Sequence, residues 1–488
     1  FSLFASNISS TTLIGLAGDA YRIGISVSNY EWMAGVVLVF IGIFFIPFFI
    51  RSNLTTIPEY LEKRFDVRSR KYFSGLTILT SILIDTAGGI YAGTVVLKTF
   101  FPELIPGIES PDADFVITAL ILALIAGLYT AAGGLAAVVY TDILQAIILI
   151  VGSTFIAYTT FEQFDFSWAK ATAQLPEGHL SLIRPLDDPG VPWLGTLIGV
   201  PVLGFYYWGL NQYIIQRVLG AKDLKNARWG AMLGGALKLL PLFIMVLPGA
   251  FALSLYPDLA NPDAVFPTLV TELLPVGVLG IVMAGLIAAI MSSIDSTLNS
   301  ASTLITIDFI KPNRPDITPK ETGRIGRITT IVLMLAAAAW APFIREFPGL
   351  WSYIQAMLAY LVPPVVAVFL LGVFWQRTNA SAAFTTLVGG HLLSLLVFLH
   401  AQDGILYADA PIDLHFTIIA GMLTALCIGL LVAATLYFGE MPREEQLHDL
   451  TWQSRAVPVP EEMAWYKDFR IHSAIVLGLT AVMIVMFW

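Results

Sequence analysis

Five ionisable side chains stand inside runs that are otherwise apolar: Glu31, Asp85, Asp142, Lys238 and Asp295. A charge at the centre of a membrane helix costs about 2.5–3.5 kcal/mol on insertion scales, so such residues face a partner or a polar cavity. Glu31 and Asp142 lie near the ends of their runs, where interfacial solvation is a plainer explanation. Lys238, in GGALKLLPLFIMVLPG, lies well inside its run, with snorkelling as the plain alternative. The densest polar stretch is AAIMSSIDSTLNSAS, residues 288–302. On a helix, Ala289, Ser292, Ser293 and Ser296 fall at i, i+3, i+4 and i+7 and make one face of small residues. Close helix packing explains alanine and serine there, but not Asp295, one turn from Ser292 and Asn299. Hydroxyls and a carboxylate at this spacing suit a hard monovalent cation such as Na+, which also takes backbone carbonyls as ligands.

Carbonyls become available where a helix is interrupted. Two runs have that character. SLFASNISSTTLIGLAG carries Asn7, Ser9, Ser10, Thr11 and Thr12 in mid-span. GVPVLGFYYWGLNQYIIQ carries Pro201, Gly204, Gly209, Asn211 and Gln212. They are the first and sixth apolar segments, five apart, as matching helices of two five-helix inverted repeats would be. Interrupted segments in corresponding positions of two halves point to a transport site.

The elements that must position these residues are membrane helices. The chain has 488 residues, 57% hydrophobic and only 12% charged, against about 25% charged in soluble domains. A span needs about 20 apolar residues. Thirteen candidates follow: 1–18, 26–50, 72–100, 114–132, 137–161, 192–216, 228–255, 272–308, 325–344, 349–374, 380–400, 413–438 and 471–488. The chain opens at Phe1 inside an apolar run, so the first is read as truncated, with one helix expected before it. A single cysteine, Cys427, excludes an internal disulfide framework. Six scattered histidines show no metal-ligand spacing. The net charge of -9 says little, because the position of each charge decides topology, and nucleic acid is not expected as a partner.

The connecting loops alternate in charge. Arg51, Lys63, Arg64, Arg68, Arg70 and Lys71 follow the second segment, and Arg217, Lys222, Lys225 and Arg228 the sixth. Lys311, Arg314, Lys320, Arg324 and Arg327 follow the eighth, and Arg443, Arg455, Lys467 and Arg470 the twelfth. The loops between, FPELIPGIESPDADF, YPDLANPDAVFPTLVTE and 401–412, hold no Lys or Arg. The positive-inside rule places the basic loops in the cytoplasm and Trp488 on the extracellular or periplasmic side of a plasma membrane, the inner one in a bacterium. The loop at 162–191 is polar and is expected to carry short helices.

On these residues the chain resembles the sodium/solute symporter family, and within it the sodium–glucose cotransporter branch. The likeness runs in order through SLFASNIS, NYEWM, TIPEYLEKRF, GLYTAAGGLAAVVYTDILQ, YYWGLNQYIIQRVLGAK, SSIDSTLNSASTLITIDFI and VFLLGVFWQRTNASAA, from Ser2 to about Ala382. It implies an all-α polytopic fold with a leucine-transporter-like core of two five-helix inverted repeats, the first and sixth core helices discontinuous. Residues 1–161 would form the first repeat, 162–191 an extracellular loop and 192–374 the second repeat. Three peripheral helices would fill 375–488, with a cytoplasmic connector at 439–470.

The resemblance also implies site residues. The family's common sodium site falls on the carbonyls of Ala5, Ile8 and Ala289 and the hydroxyls of Ser292 and Ser293. Asp142, in YTDILQ, matches a carboxylate tied to sodium release or to a second sodium site, which Asp295 and Ser296 would join. Asp295 itself suits a second Na+ or a proton. The sugar-binding glutamate, lysine and glutamine fall on Glu31, Lys238 and Gln355. The aromatic inner gate falls on Tyr207 with Trp208 beside it, and an outer-gate aromatic on Trp351. Asn7 matches a further polar position. Thr12 and Asp85 also fall on substrate-binding positions, where, as at Gly204 and Ala34, the chain departs from relatives. The implied activity is inward Na+ movement, one or two ions per cycle, coupled by alternating access to uptake of a sugar or polyol, such as glucose or galactose. The rivals are another solute of the same family (inositol, sialic acid or another organic anion, an amino acid, choline), a sodium channel, or a solute sensor. No nucleophile–base pair, metal cluster or repeated acidic motif argues for an enzyme.

Overall fold

The computed structural model describes residues 2–52, 54, 56–108, 110–132, 135–401, 414–453 and 465–488, without the side chains of 2, 5, 6, 129–132 and 135–143. The described residues are predominantly helical, with one isolated bridge between Arg184 and Pro192 and no strand among them. Among the described residues eleven helices are long and apolar enough to span a membrane, from Ile25–Phe44 to Phe469–Met486. A twelfth span is the pair Leu350–Leu361 and Pro363–Phe374, bent by 55°. The bend falls where Pro363 and Pro364 remove two amide donors.

The first segment is broken, as its polar centre predicts. Helix Ser2–Asn7 stops, and Ser10–Ile23 restarts with the Ser9 side chain accepting from the Thr12 N–H. The sixth is broken likewise. Val200–Phe205 runs into a π-helical turn, Tyr206–Leu210, and Asn211 then caps Gln212–Leu219 by accepting from the Tyr213 N–H at 3.0 Å. One boundary differs from the hydropathy reading. The helix expected from 72 begins at Val67, because Asp66 accepts from the Ser69 N–H at 2.8 Å. Arg68, Arg70 and Lys71 therefore ride on its first turns instead of lying in a loop. The loop at 162–191 does carry a short helix, Trp168–Thr172.

The helices group into two compact units. One holds residues 1–28, 76–182 and 240–354, the other 29–75, 183–239 and 355–488. In the first unit, Ser10–Ile23 packs on Leu247–Leu255 and on Val276–Leu304, which also lies along Leu135–Glu162. A Cβ at Gly249 would stand 2.5 Å from the Ala17 carbonyl oxygen, so this crossing requires glycine.

In the second unit, Asn29–Phe44 crosses Leu224–Leu237 through Gly35 and Gly235. A Cβ at Gly35 would lie 3.2 Å from the Gly235 oxygen, and one at Gly235 3.3 Å from the Gly35 Cα. The same unit contains a fully buried cation, Arg64. Its Nε donates to the Gly372 carbonyl at 2.9 Å, and its Nη2 to those of Trp375 and Gln376, both at 3.3 Å. The guanidinium thus serves carbonyls at the C-terminal end of Pro363–Phe374, where a positive charge also complements the helix dipole. Arg64→Met should leave those carbonyls buried and unpaired and lower stability by about 3 kcal/mol. The check is thermal melting in detergent. Melting unchanged from the parent chain would show that water replaces the guanidinium at no cost.

Candidate functional site

The break in the first segment exposes backbone. Ile8 donates its N–H to the Phe4 carbonyl at 3.0 Å and Ser9 donates to that of Asn7 at 2.8 Å. The Thr12 hydroxyl closes the gap by donating to the same Asn7 carbonyl at 2.7 Å. Among the described residues nothing donates to the carbonyl of Ile8. A carbonyl freed at an interruption is the group a cation ligand set needs. Ala5 sits one turn earlier on Ser2–Asn7.

Helix Val276–Leu304, which packs on the restarted first segment, carries the hydroxyl face. Ala289, Ser292, Asp295 and Ser296 are buried on it and Ser293 is half-buried. The helical spacing expected from the sequence is therefore realised, in a packed setting. Asp142 lies on Leu135–Glu162, but its side chain is outside the described residues.

In the second unit the two costly charges meet. The Lys238 ammonium donates to Glu31 Oε2, with the side chains 1% and 4% exposed. The glycine crossing explains the meeting: Glu31 is one turn before Gly35 and Lys238 one turn after Gly235, and the helices touch between them. Helix Leu224–Leu237 ends at Lys238, three residues ahead of Pro241. The Trp208 ring lies over the ammonium at 5.5 Å, a cation–π distance, and Tyr207 stands edge-on to Trp208 at 5.2 Å. Both aromatics sit in the π-helical turn Tyr206–Leu210, where an extra residue per turn displaces side chains from α-helical register. Buried acceptor, donor and aromatic face are together the chemistry that recognises a polyhydroxylated ring. Gln355 is a buried amide of this unit, on Leu350–Leu361.

Asp85 occupies a second π-helical turn, Ser81–Thr86, in the first unit. Tyr353 braces that turn, donating to the Leu83 carbonyl at 2.6 Å and accepting from Trp340 Nε1 at 2.7 Å. Trp351 is buried against Gly15.

One polar cluster was not expected from the sequence. Asp19 binds Arg22 at 3.0 Å, and Ser352 accepts from Arg22 Nη2 at 2.7 Å while donating to Asp19 at 2.8 Å. Asp263, 1% exposed, accepts from the Tyr91 hydroxyl at 3.0 Å and from the Leu350 N–H at 3.0 Å. The signal available was the i, i+3 spacing of Asp19 and Arg22 in GLAGDAYRIG. Burial first, then the Asp19 carboxylate, push the Asp263 carboxyl from 3.8 up to about 7, against the pull of Tyr91, Leu350 and Arg22. The folded chain then binds this proton more tightly than the unfolded one. Its stabilising contribution is complete below about pH 4 and is lost as pH rises through about 7, a swing of up to about 4 kcal/mol. Asp263→Asn should flatten the fall in melting temperature between about pH 4 and 7. Parallel profiles for the two proteins would exclude Asp263 as the titrating group.

The model of the Sodium:solute symporter family matches residues 1–390. The human Sodium/myo-inositol cotransporter 2 is 35% identical over 505 residues, covering 94% of this chain and 73% of its own length. The Danio rerio Sodium/glucose cotransporter 4 is 33% identical over 498 residues, covering 93% and 74%. A substrate-bound, outward-open Na+-coupled sialic acid symporter superposes with a TM-score of 0.72 at 22% identity, over 91% of this chain and 90% of that one. Mhp1 in an inward-facing conformation superposes at 0.59 with 14% identity, over 94% of each chain. The structural likenesses establish the leucine-transporter-like fold that the family resemblance implied.

Proposed function

Since the chain belongs to the sodium:solute symporter family, a multi-span membrane transporter family in which Na+ is the coupling ion, we propose that its solute is a hexose or a cyclic polyol such as an inositol. The observation that carries this reading is the buried Glu31–Lys238 pair under Trp208. A carboxylate accepts from ring hydroxyls, an ammonium donates to them, and an aromatic face suits the apolar side of the ring. Gln355 would add an amide able to do both, and Tyr207 would gate the inner side. The names of the relatives, inositol and glucose cotransporters, support this solute class. An organic anion would leave Glu31 repelling its charge.

Sodium would bind where the first segment breaks, on the carbonyls of Ala5 and Ile8, and on Ala289, Ser292 and Ser293 of the helix packed beside it. Asp142, Asp295 and Ser296 are the proposed second cation site. An ion held by both pieces favours one arrangement of the broken segment. If the solute favours the same arrangement, each ligand raises the affinity of the other by the same factor. The repeats 1–161 and 192–374 would then exchange access between the two faces, with the basic loops on the cytoplasmic side.

Uptake into proteoliposomes tests the reading. Labelled glucose, galactose and myo-inositol should accumulate under an inward Na+ gradient, and not under a K+ or proton gradient. Failure of all three to accumulate or compete, with competition by sialic acid or an amino acid, would reject the solute class. Conductance without accumulation would mark a channel.

A further inference from the structure

Away from the candidate sites, the span Val276–Asn313 ends in the π-helical turn Ile305–Ile310 and a 3-10 turn, Lys311–Asn313. The chain reverses at 314–317 and enters Pro319–Trp340, which Thr318 caps. A cleft of about 590 Å³ opens at this reversal, with Arg314, Asp316, Glu321, Arg324, Ile325 and Ile328 in its wall. The carboxylate of Glu321 is engaged in the cap, accepting from the Thr318 N–H at 3.0 Å and from its hydroxyl at 2.7 Å. The side chains of Arg314 and Arg324 are exposed, and among the described residues neither makes a side-chain hydrogen bond or close ion pair, the Arg314 charge acting on Glu321 only at longer range. Between 311 and 327 five cationic side chains face two carboxylates.

The apolar part of the wall does not stop at the cleft. Ile328 is 53% exposed, and Ile331, Val332 and Leu335 continue an exposed stripe at i+3, i+4 and i+7 up the spanning part of the helix. Two guanidiniums in the wall of one cleft at the end of a spanning helix, beside a strip of exposed aliphatic side chains, match an amphiphile with an anionic head and an acyl tail. A soluble phosphate would use the arginines and leave the stripe without a role.

We propose that this cleft binds an anionic phospholipid, with its phosphate between Arg314 and Arg324 and an acyl chain along Ile328, Val332 and Leu335. Arg is suited to the head because its planar fork meets phosphate oxygens bidentately. The proposal is independent of which solute is carried.

The test uses the purified full chain in detergent, with melting followed as lipid is added. Phosphatidylglycerol should raise the melting temperature, while phosphatidylcholine and inorganic phosphate should not. In Arg314→Gln/Arg324→Gln the phosphatidylglycerol midpoint should weaken about thirtyfold, the loss expected for two interfacial cations. Arg314→Lys/Arg324→Lys should retain most of the effect, and Ile328→Ser/Val332→Ser should weaken it with the arginines in place. Equal stabilisation of the parent chain and the glutamine variant would overturn the site. An equal shift from inorganic phosphate alone would overturn the lipid in favour of a free anion.

Discussion

Lys238→Met should lower stability by about 3–5 kcal/mol and abolish solute accumulation. The ammonium and the Glu31 carboxylate are both almost fully buried, so removing one strands the other as an unpaired charge in apolar surroundings. Glu31→Gln alone should act similarly. The double variant Glu31→Gln/Lys238→Met removes both charges and should melt near the parent chain, because buried ion pairs often add little over packed neutral groups. It should still fail to accumulate solute, since the donor and acceptor for ring hydroxyls are gone; a rise of at least a hundredfold in solute KM corresponds to about 3 kcal/mol. Melting of both single variants at the parent temperature would mean that water reaches the pair. Full uptake by the double variant would remove the pair from the solute site.

Ser292→Ala/Ser293→Ala should raise the Na+ concentration for half-maximal uptake at least tenfold, about 1.4 kcal/mol or more. Reciprocity makes a second reading available: at a fixed, subsaturating Na+ level, solute affinity should fall with it, while solute binding without Na+ stays unchanged. Thr303→Ala, exposed on the same helix and bonded to its own Asn299 carbonyl, is the control and should behave as the parent. An unchanged Na+ response in the double variant would move the ion away from this helix face.

The parts of this architecture that were legible in the sequence are those with a local cost. Asn7, Ser9 and Thr12 in an apolar run pointed to a break, and the helix does stop between Asn7 and Ser10. Glu31 and Lys238 were each visible as expensive charges. Their partnership was not, because 207 residues separate them and the contact depends on the Gly35–Gly235 crossing. The link of Asp19 to Ser352, 333 residues away, was equally hidden. The π-helical turns under Tyr207 and Asp85 leave no compositional mark, since they change register without changing residue types. The bend at Pro363–Pro364 and the start at Asp66 did have signals, and a hydropathy window averages over both.

The Glu31–Lys238 pair sums to zero. A carrier working by alternating access must make one of its two strokes with the solute site empty. A lone ammonium carried fully across the membrane would tie that stroke to voltage, at about 2.3 kcal/mol per 100 mV. Held against its carboxylate, it contributes no net gating charge. As far as this pair is concerned, the electric field then acts on the stroke that carries Na+ and leaves the empty return unopposed.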